Sequence, residues 1–96
     1  MGARAVSGMS IRKTVIVGNA PDGLHMRPAT AFAKLARGFR CAVTLRNGDR
    51  TADGRSPTDL LMLIALPGTE LELVLDGDDA DIAVEPLVAI LVGQDD

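Results

Sequence analysis

The sequence is poor in the residues that build several common kinds of site. Its 96 residues include one cysteine, one histidine and two phenylalanines, with no tryptophan or tyrosine. The lone Cys41 excludes an intramolecular disulfide, and with one histidine it cannot complete a zinc site. Two aromatic residues are too few for a platform that stacks nucleic-acid bases. We therefore expect no metal, no cofactor and no nucleic acid as ligands.

Long apolar stretches are also missing. The run LLMLIAL has seven apolar residues, far fewer than a membrane-spanning helix needs. Residues 1–10 contain no apolar segment of the signal-peptide kind, so we expect a disordered lead-in there and a cytoplasmic protein. With a short acidic tail at residues 93–96, this leaves a single domain over residues 11–92.

What the sequence does have is an uneven distribution of charge. The net charge of −3 is the sum of two unequal halves. Residues 1–48 contain eight Lys or Arg and one acidic residue, whereas residues 49–96 contain two Lys or Arg and twelve acidic residues. The basic first half favours an anionic ligand or partner, and the acidic second half disfavours nucleic acid.

Periodicity predicts alternating strands and helices. We expect strands at 11–17, 41–46, 49–53 and 69–75, and helices at 26–37, 60–66 and 80–92. Ser56 is the predicted N-cap of the middle helix, followed by Pro57 and by Asp59 at its third position. Pro86 predicts either a kink in the last helix or a later start. The order β-α-β-β-α-β-α predicts an α+β open-faced β-sandwich, a small antiparallel four-stranded sheet covered on one side by three helices.

The only histidine, His25, falls in GLHMRPAT, after a turn glycine and where the first helix begins. An imidazole there would face the unpaired N–H groups of the first turn, which favour a neutral ring and a bound anion. Arg27 would offer phosphate oxygens a planar cation from the helix boundary, since it precedes Pro28. Two interpretations stay open: a histidine that accepts and passes on a phosphoryl group, or a surface histidine that only caps a helix.

A basic stripe follows on the exposed face of the same helix. Thr30, Lys34 and Arg37 continue from Arg27 at helical spacing. Elsewhere the residues favour plainer interpretations. Cys41 is expected to be a small buried apolar side chain. The acidic residues at the start of the last helix are expected to be solvated and not to form a metal site: Asp78, Asp79 and Asp81.

The motif GLHMRPAT resembles the active-site signature of HPr, the histidine-containing phosphocarrier of the sugar phosphotransferase system. The resemblance covers roughly residues 11–92, because GRSPTDLLML resembles the family's regulatory-serine segment and PGTELELVLDGDDADIA its last strand, turn and helix. It implies a phosphohistidine at Nδ1 of His25, with Arg27 in contact with the phosphoryl group. It also implies a carrier that turns over no small substrate of its own.

The resemblance further implies partners and docking positions. Enzyme I would be the phosphoryl donor and IIA-type domains the acceptors. By resemblance, acidic partner surfaces would dock on Thr30, Lys34 and Arg37, while Leu61 matches an exposed apolar docking position. Two positions that are often larger and more apolar in the family are occupied here by Pro57 and Thr58, so the docking surface is altered.

A second phosphorylation site is implied at Ser56, which matches the serine that a dedicated HPr kinase modifies in some bacteria. A phosphate there would weaken docking to acidic partners, and Arg55 beside it would pair with the new charge. Two alternatives to a sugar carrier remain. One is an HPr-like regulatory protein of a nitrogen or carbon-control branch that uses Ser56 and His25; the other is a binding module without phosphorylation. We expect a monomer in each case.

Overall fold

The computed structural model describes residues 10–18 and 23–93, and the elements follow the order predicted from the sequence. In chain order they are β1 Ser10–Ile16, α1 Met26–Ala36, β2 Ala42–Asn47, β3 Arg50–Asp53, α2 Pro57–Leu61, β4 Glu70–Asp76 and α3 Ala80–Val92. Residues 19–22, residues 1–9 of the lead-in and residues 94–96 of the tail lie outside the described residues.

The strands form one antiparallel sheet in the order β1-β4-β2-β3. In β4 the side chains Leu71, Leu73 and Leu75 alternate with less buried residues and are fully buried against the helices. Glu72, which lies between them, forms ion pairs on the opposite face with Arg12 (3.1 Å) and Arg46 (3.6 Å). The helices therefore cover one face only, which confirms the predicted open-faced α+β sandwich.

The core between sheet and helices is built from aliphatic side chains and a single aromatic ring. Phe32 of α1 is completely buried, together with Leu45 of β2, Leu60 of α2 and Leu87 of α3. Removing the ring would cost about 3–5 kcal/mol of stability, because the neighbouring side chains could only partly fill the cavity. This packing holds the start of α1 in a fixed place above the sheet.

Several element boundaries differ from the prediction by one residue. β1 already includes Ser10, assigned above to the lead-in, because Ser10 pairs with Asp76 of β4. Helix α1 ends at Ala36 with Arg37 as its C-cap, and β3 begins at Arg50. Such differences are the usual uncertainty of frayed ends.

The predicted helix over residues 60–66 is wrong beyond Leu61, where α2 ends. From Leu63 onward burial alternates as in an extended chain: Leu63 and Ala65 are buried, while Ile64 and Leu66 are exposed. The carbonyl of Ala65 accepts a hydrogen bond of 2.9 Å from the Leu24 N–H. A continuing helix would have directed that carbonyl along its own axis. An unbroken apolar run has no period of its own, so tertiary contacts decided its conformation.

The last helix has the predicted bounds, Ala80–Val92, and contains Pro86. The alternative that this helix begins near the proline is therefore wrong. The ring removes only the N–H that would reach the carbonyl of Ile82, an exposed residue whose carbonyl water can satisfy. Among the described residues no helix combines the length and apolarity that crossing a membrane would require.

Candidate functional site

Gly23 and Leu24, directly before α1, fix the position of the histidine, and we call these two residues the Gly23–Leu24 brace. Gly23 has a positive φ of 72°, and a Cβ added there would clash with the Ala65 carbonyl oxygen and lie 2.8 Å from Leu66 Cα. Only glycine fits both the conformation and the space. The next residue, Leu24, is buried and donates its N–H to that same carbonyl. The chain therefore leaves the core at a defined point, directly before His25.

His25 is the N-cap of α1. Its backbone is extended (φ −102°, ψ −166°), and its carbonyl accepts the first helical bond from the Ala29 N–H at 2.9 Å. Its ring Nδ1 accepts from the backbone N–H of Arg27 at 3.5 Å. Accepting requires Nδ1 to lack a proton, which in a neutral ring places the proton on Nε2. The predicted position is confirmed, and the Nδ1 lone pair points at the first-turn amides over a long bond.

Arg27 lies within α1, as its second residue, and not at the boundary as its place before proline suggested. Pro28 is tolerated at the third position because the carbonyl one turn back belongs to Leu24, which precedes the helix. The guanidinium is exposed, and within the described residues no carboxylate lies at ion-pair distance from it. Its exposed position makes it accessible to an anion at His25.

The rest of the basic stripe is also accessible. Thr30, Lys34 and Arg37 are all exposed, and the Arg37 N–H ends the helix by donating to the Ala33 carbonyl at 3.0 Å. The stripe therefore runs from the histidine to the far end of α1, as its helical spacing predicted.

The serine site has the predicted cap. Ser56 Oγ accepts from the Asp59 N–H at 3.2 Å, and Pro57 occupies the first position of α2. The Asp59 carboxylate in turn accepts from the Asp53 N–H at 3.1 Å. The hydroxyl therefore lies in a cap whose third helical residue, Asp59, is acidic.

The pairing of Arg55 with a phosphate on Ser56 stays a prediction, and beside the unmodified serine the Arg55 side chain has other partners. Its Nη2 donates to the carbonyls of Phe39 (2.7 Å) and Cys41 (3.3 Å), which directs the guanidinium toward the connection before β2.

The acidic turn before α3 is also more than a solvated helix start. The Asp79 carboxylate accepts from the backbone N–H of Arg40 (2.8 Å) and of Cys41 (2.9 Å), and these bonds lower the pKa of Asp79. Cys41 is fully buried, as predicted. Its burial, and to a smaller extent the nearby Asp79, raises the pKa of its thiol to about 11. A thiol that stays protonated is a poor nucleophile.

The apolar residues near the site differ from the predicted docking position. Leu61 is only partly buried against the core and is not an exposed anchor. Met26, Met62, Ile64 and Leu66 are instead exposed by 58–66%. We call these four residues the apolar patch. The sequence suggested that LLMLIAL was too apolar to be buried entirely, but a helical assignment could not say which side chains emerge.

Fold and site together define a class of protein: a small open-faced α+β sandwich that presents one histidine at the N-terminus of its first helix. The family model described as the PTS HPr component phosphorylation site matches residues 11–92. Phosphocarrier protein HPr of Haemophilus influenzae is 40% identical over 72 residues, or 75% of this chain and 85% of that protein. Phosphocarrier protein NPr of Shewanella violacea is 38% identical over 69 residues, or 72% of this chain and 76% of that protein.

A solved structure agrees with these sequence relatives. The crystal structure of HPr from Bacillus anthracis str. Ames aligns with a TM-score of 0.79 at 27% identity, covering 85% of this chain and 96% of that one. The chain belongs to the HPr family of phosphocarrier proteins of the phosphotransferase system.

Proposed function

We propose that this protein accepts a phosphoryl group on Nδ1 of His25 from enzyme I and passes it to IIA-type domains. The observation that carries the proposal is the position of Nδ1 at the start of α1, 3.5 Å from the backbone nitrogen of Arg27. A ring that serves only as a cap would need this contact as well, so the chemistry must be tested directly.

The transfer requires no proton movement at the attacking atom. The Nδ1 lone pair forms a bond to phosphorus while the bond from phosphorus to the donor atom breaks, and the donor atom keeps that electron pair. The proton on Nε2 stays where it is. The backbone N–H of Arg27 then donates to a phosphoryl oxygen in place of Nδ1, and its guanidinium balances the added charge.

The helix start favours the charged product. The first N–H groups of α1 have no helical acceptor, and the helix dipole stabilises an anion there by about 0.3–1 kcal/mol. This stabilisation of the phosphorylated histidine by the helix start is small compared with the free energy of a strong covalent bond. The group is therefore held only moderately, as a carrier requires, and can move on to a second protein.

The branch that this carrier serves is part of the proposal. We assign it to the sugar branch, because the chain aligns with most of the length of relatives named HPr from several bacteria. A second candidate is a regulatory branch, favoured by the 38% identity to a protein named NPr. Purified IIA domains of the sugar and nitrogen types, offered phosphorylated protein in competition, separate the two by which one becomes labelled.

We also propose that Ser56 is a regulatory phosphosite for an HPr kinase. A phosphate on its oxygen would lie in a cap that already contains the Asp59 carboxylate, and the charge would oppose docking of acidic partners. Incubation with an HPr kinase and ATP, followed by peptide mapping, tests this assignment; an unmodified Ser56 beside a modified control HPr would contradict it.

We place the exchange in the cytoplasm and expect the protein to act there as a monomer, because one face carries both the histidine and the basic stripe. Partners then meet that face one at a time, as a carrier between two proteins requires.

Enzyme I, phosphoenolpyruvate and intact-mass spectrometry test the main proposal. One acid-labile phosphoryl group should appear on the wild-type protein and on Ser56→Ala, and none on His25→Ala. Circular dichroism of His25→Ala should remain that of a folded protein. Labelling of His25→Ala, or no transfer to the wild type by an enzyme I that is active on a control carrier, would favour the binding module instead.

A further inference from the structure

The sheet has a long free edge at β1. In the order β1-β4-β2-β3, the seven residues of β1 pair with β4 on one side only. Val17, directly after β1, turns its backbone toward β4, since its N–H donates to the Thr69 carbonyl at 2.9 Å. Backbone groups alternate in direction along a strand, so those of Arg12, Thr14 and Ile16 point away from β4.

These outward backbone groups are open to a further strand. Among the described residues, no backbone hydrogen bond joins Arg12, Thr14 or Ile16 to an element beyond the sheet. Gly18, the next residue in the same alternation, does have such a bond, because its N–H donates to the Leu91 carbonyl of α3 at 2.9 Å. A row of free donors and acceptors on a strand of this length is a template for pairing with another chain.

An apolar surface lies beside the free edge. A groove between β1 and α3 is lined by Val84, Val88 and Val92, which follow one another at one-turn spacing and are only partly buried. The charged side chains of α3 are limited to Asp81 and Glu85. A strand added at β1 would therefore cover apolar surface as well as extend the ladder, and both effects favour association.

One cation interrupts this groove. By alternation Lys13 lies on the same face of β1 as the buried Val15, and it lines the groove beside the valines of α3. Its side chain is exposed, and neither Glu85 nor any other carboxylate of the described residues lies within ion-pair distance of it. On the opposite face Arg12 is paired with Glu72 at 3.1 Å. Each face of the edge therefore carries one cation.

The best match for this edge is the same edge of a second copy, because a two-fold axis brings identical donors and acceptors together. In an antiparallel register centred on Lys13 or on Arg12, that residue lies directly opposite its counterpart, and like charges in this position destabilise the pair. A register centred on Thr14 places Lys13 opposite Val15 of the second copy, where a charge would meet an apolar side chain.

We propose that the free edge of β1 and the adjoining face of α3 form a latent interface for a second copy of this chain, and that Lys13 keeps this interface closed. The segment IRKTVIV is otherwise rich in β-branched residues, which pair readily as strands. The inference concerns self-association alone and does not depend on the chemistry of His25.

Lys13→Val removes the charge and tests the inference. Light scattering after size exclusion, over a series of protein concentrations, should give the 10.0 kDa of a monomer for the wild type and about twice that mass for Lys13→Val. Circular dichroism should show an unchanged fold, because Lys13 is exposed. In hydrogen-exchange NMR the amides of Arg12 and Thr14 should exchange more slowly in the dimer, because they would be bonded between the two edges.

Two control variants should remain monomeric. Lys13→Glu keeps a like charge at the same position, and Lys34→Val makes the same substitution at an exposed residue of α1. A dimeric wild type, or a Lys13→Val protein that stays monomeric at every concentration, would overturn the proposal. Equal dimerisation of Lys34→Val would overturn it as well, and so would a Lys13→Val dimer whose Arg12 and Thr14 amides exchange as fast as in the wild type.

Discussion

At the scale of single residues, the site depends on what surrounds one imidazole. The Gly23–Leu24 brace sets where His25 leaves the core, and the Arg27 N–H sets which ring nitrogen lacks a proton. The sequence was sufficient to predict that His25 lies at the start of α1, because the histidine falls between a turn glycine and the first residues with helical spacing. It could not predict that Arg27 lies inside the helix, since the bias of a pre-proline residue is weaker than the helix around it.

Arg27 itself gives the first prediction. Arg27→Ala should lower the rate constant of phosphoryl transfer about 10²-fold, as loss of one charge-stabilising donor does in enzymes. Arg27→Lys should recover only part of it, because an ammonium lacks the planar fork. Stopped-flow or quench-flow transfer assays measure both. Arg12→Ala, which removes an exposed arginine from the open sheet face, should leave the rate unchanged; equal rates for Arg27→Ala and the wild type would contradict the role.

At the scale of elements, prediction succeeded where apolar residues recur with a clear period. The bounds of α3 were predicted to the residue and those of α1 to within one. The prediction failed for the run LLMLIAL, because every position is apolar and tertiary hydrogen bonds, such as the one from Leu24 to Ala65, determine its path. The cap at Ser56 was predictable from local chemistry, whereas the direction of the Arg55 side chain depended on carbonyls far away in the sequence.

The cap of α2 gives a prediction about stability. Ser56→Ala should lower the free energy of unfolding by about 1 kcal/mol, because the Asp59 N–H loses its acceptor. Urea unfolding followed by circular dichroism measures the change. Thr58→Ala, at an exposed position in the same turn, is the control and should cost less. Equal losses in the two variants would show that Ser56 Oγ contributes nothing as a cap.

The connection between α1 and β2 gives a prediction about pH. Two backbone N–H groups lower the pKa of Asp79 below its usual value of 3.8. Because the folded-state pKa is lowered, the carboxylate adds stability above the unfolded pKa and loses it as the pH falls through the folded value. Asp79→Asn should therefore be less stable than the wild type at neutral pH, and the difference should shrink in acid.

Thermal melts over a pH series measure this difference. Asp81→Asn provides the control, since Asp81 is exposed in the first turn of α3. A stability difference for Asp79→Asn that stays constant from neutral pH to acid would contradict the assigned carboxylate bonds.

At the scale of the whole molecule, basic and acidic residues are concentrated in different halves of the chain. The basic residues of the first half place a stripe on α1 beside the histidine, and most acids lie in the second half of the chain. Such asymmetry would orient an encounter with an acidic partner and would act mainly on the association rate. The sequence predicted this polarity because helical spacing sufficed to place the stripe. It could not predict the apolar patch, because the patch depends on how separate segments meet.

The stripe gives a prediction about association. Lys34→Glu should raise the KM for transfer from enzyme I about tenfold at low ionic strength, and the difference should narrow with added salt. Lys13→Glu makes the same charge change at an exposed residue of β1 and should have a smaller effect. Equal effects would show that only net charge matters, and that α1 is not the docking face.

The central claim is that Nδ1 of His25 carries a phosphoryl group beneath the first-turn amides of α1. Phosphorus–nitrogen correlation NMR of isotopically labelled protein, phosphorylated by enzyme I and phosphoenolpyruvate, tests it most directly. We predict that phosphorus couples to Nδ1, that Nε2 keeps its proton, and that the Arg27 amide proton moves downfield as it donates to a phosphoryl oxygen. Phosphorus on Nε2 or on another residue, or an Arg27 amide that does not move, would contradict the account.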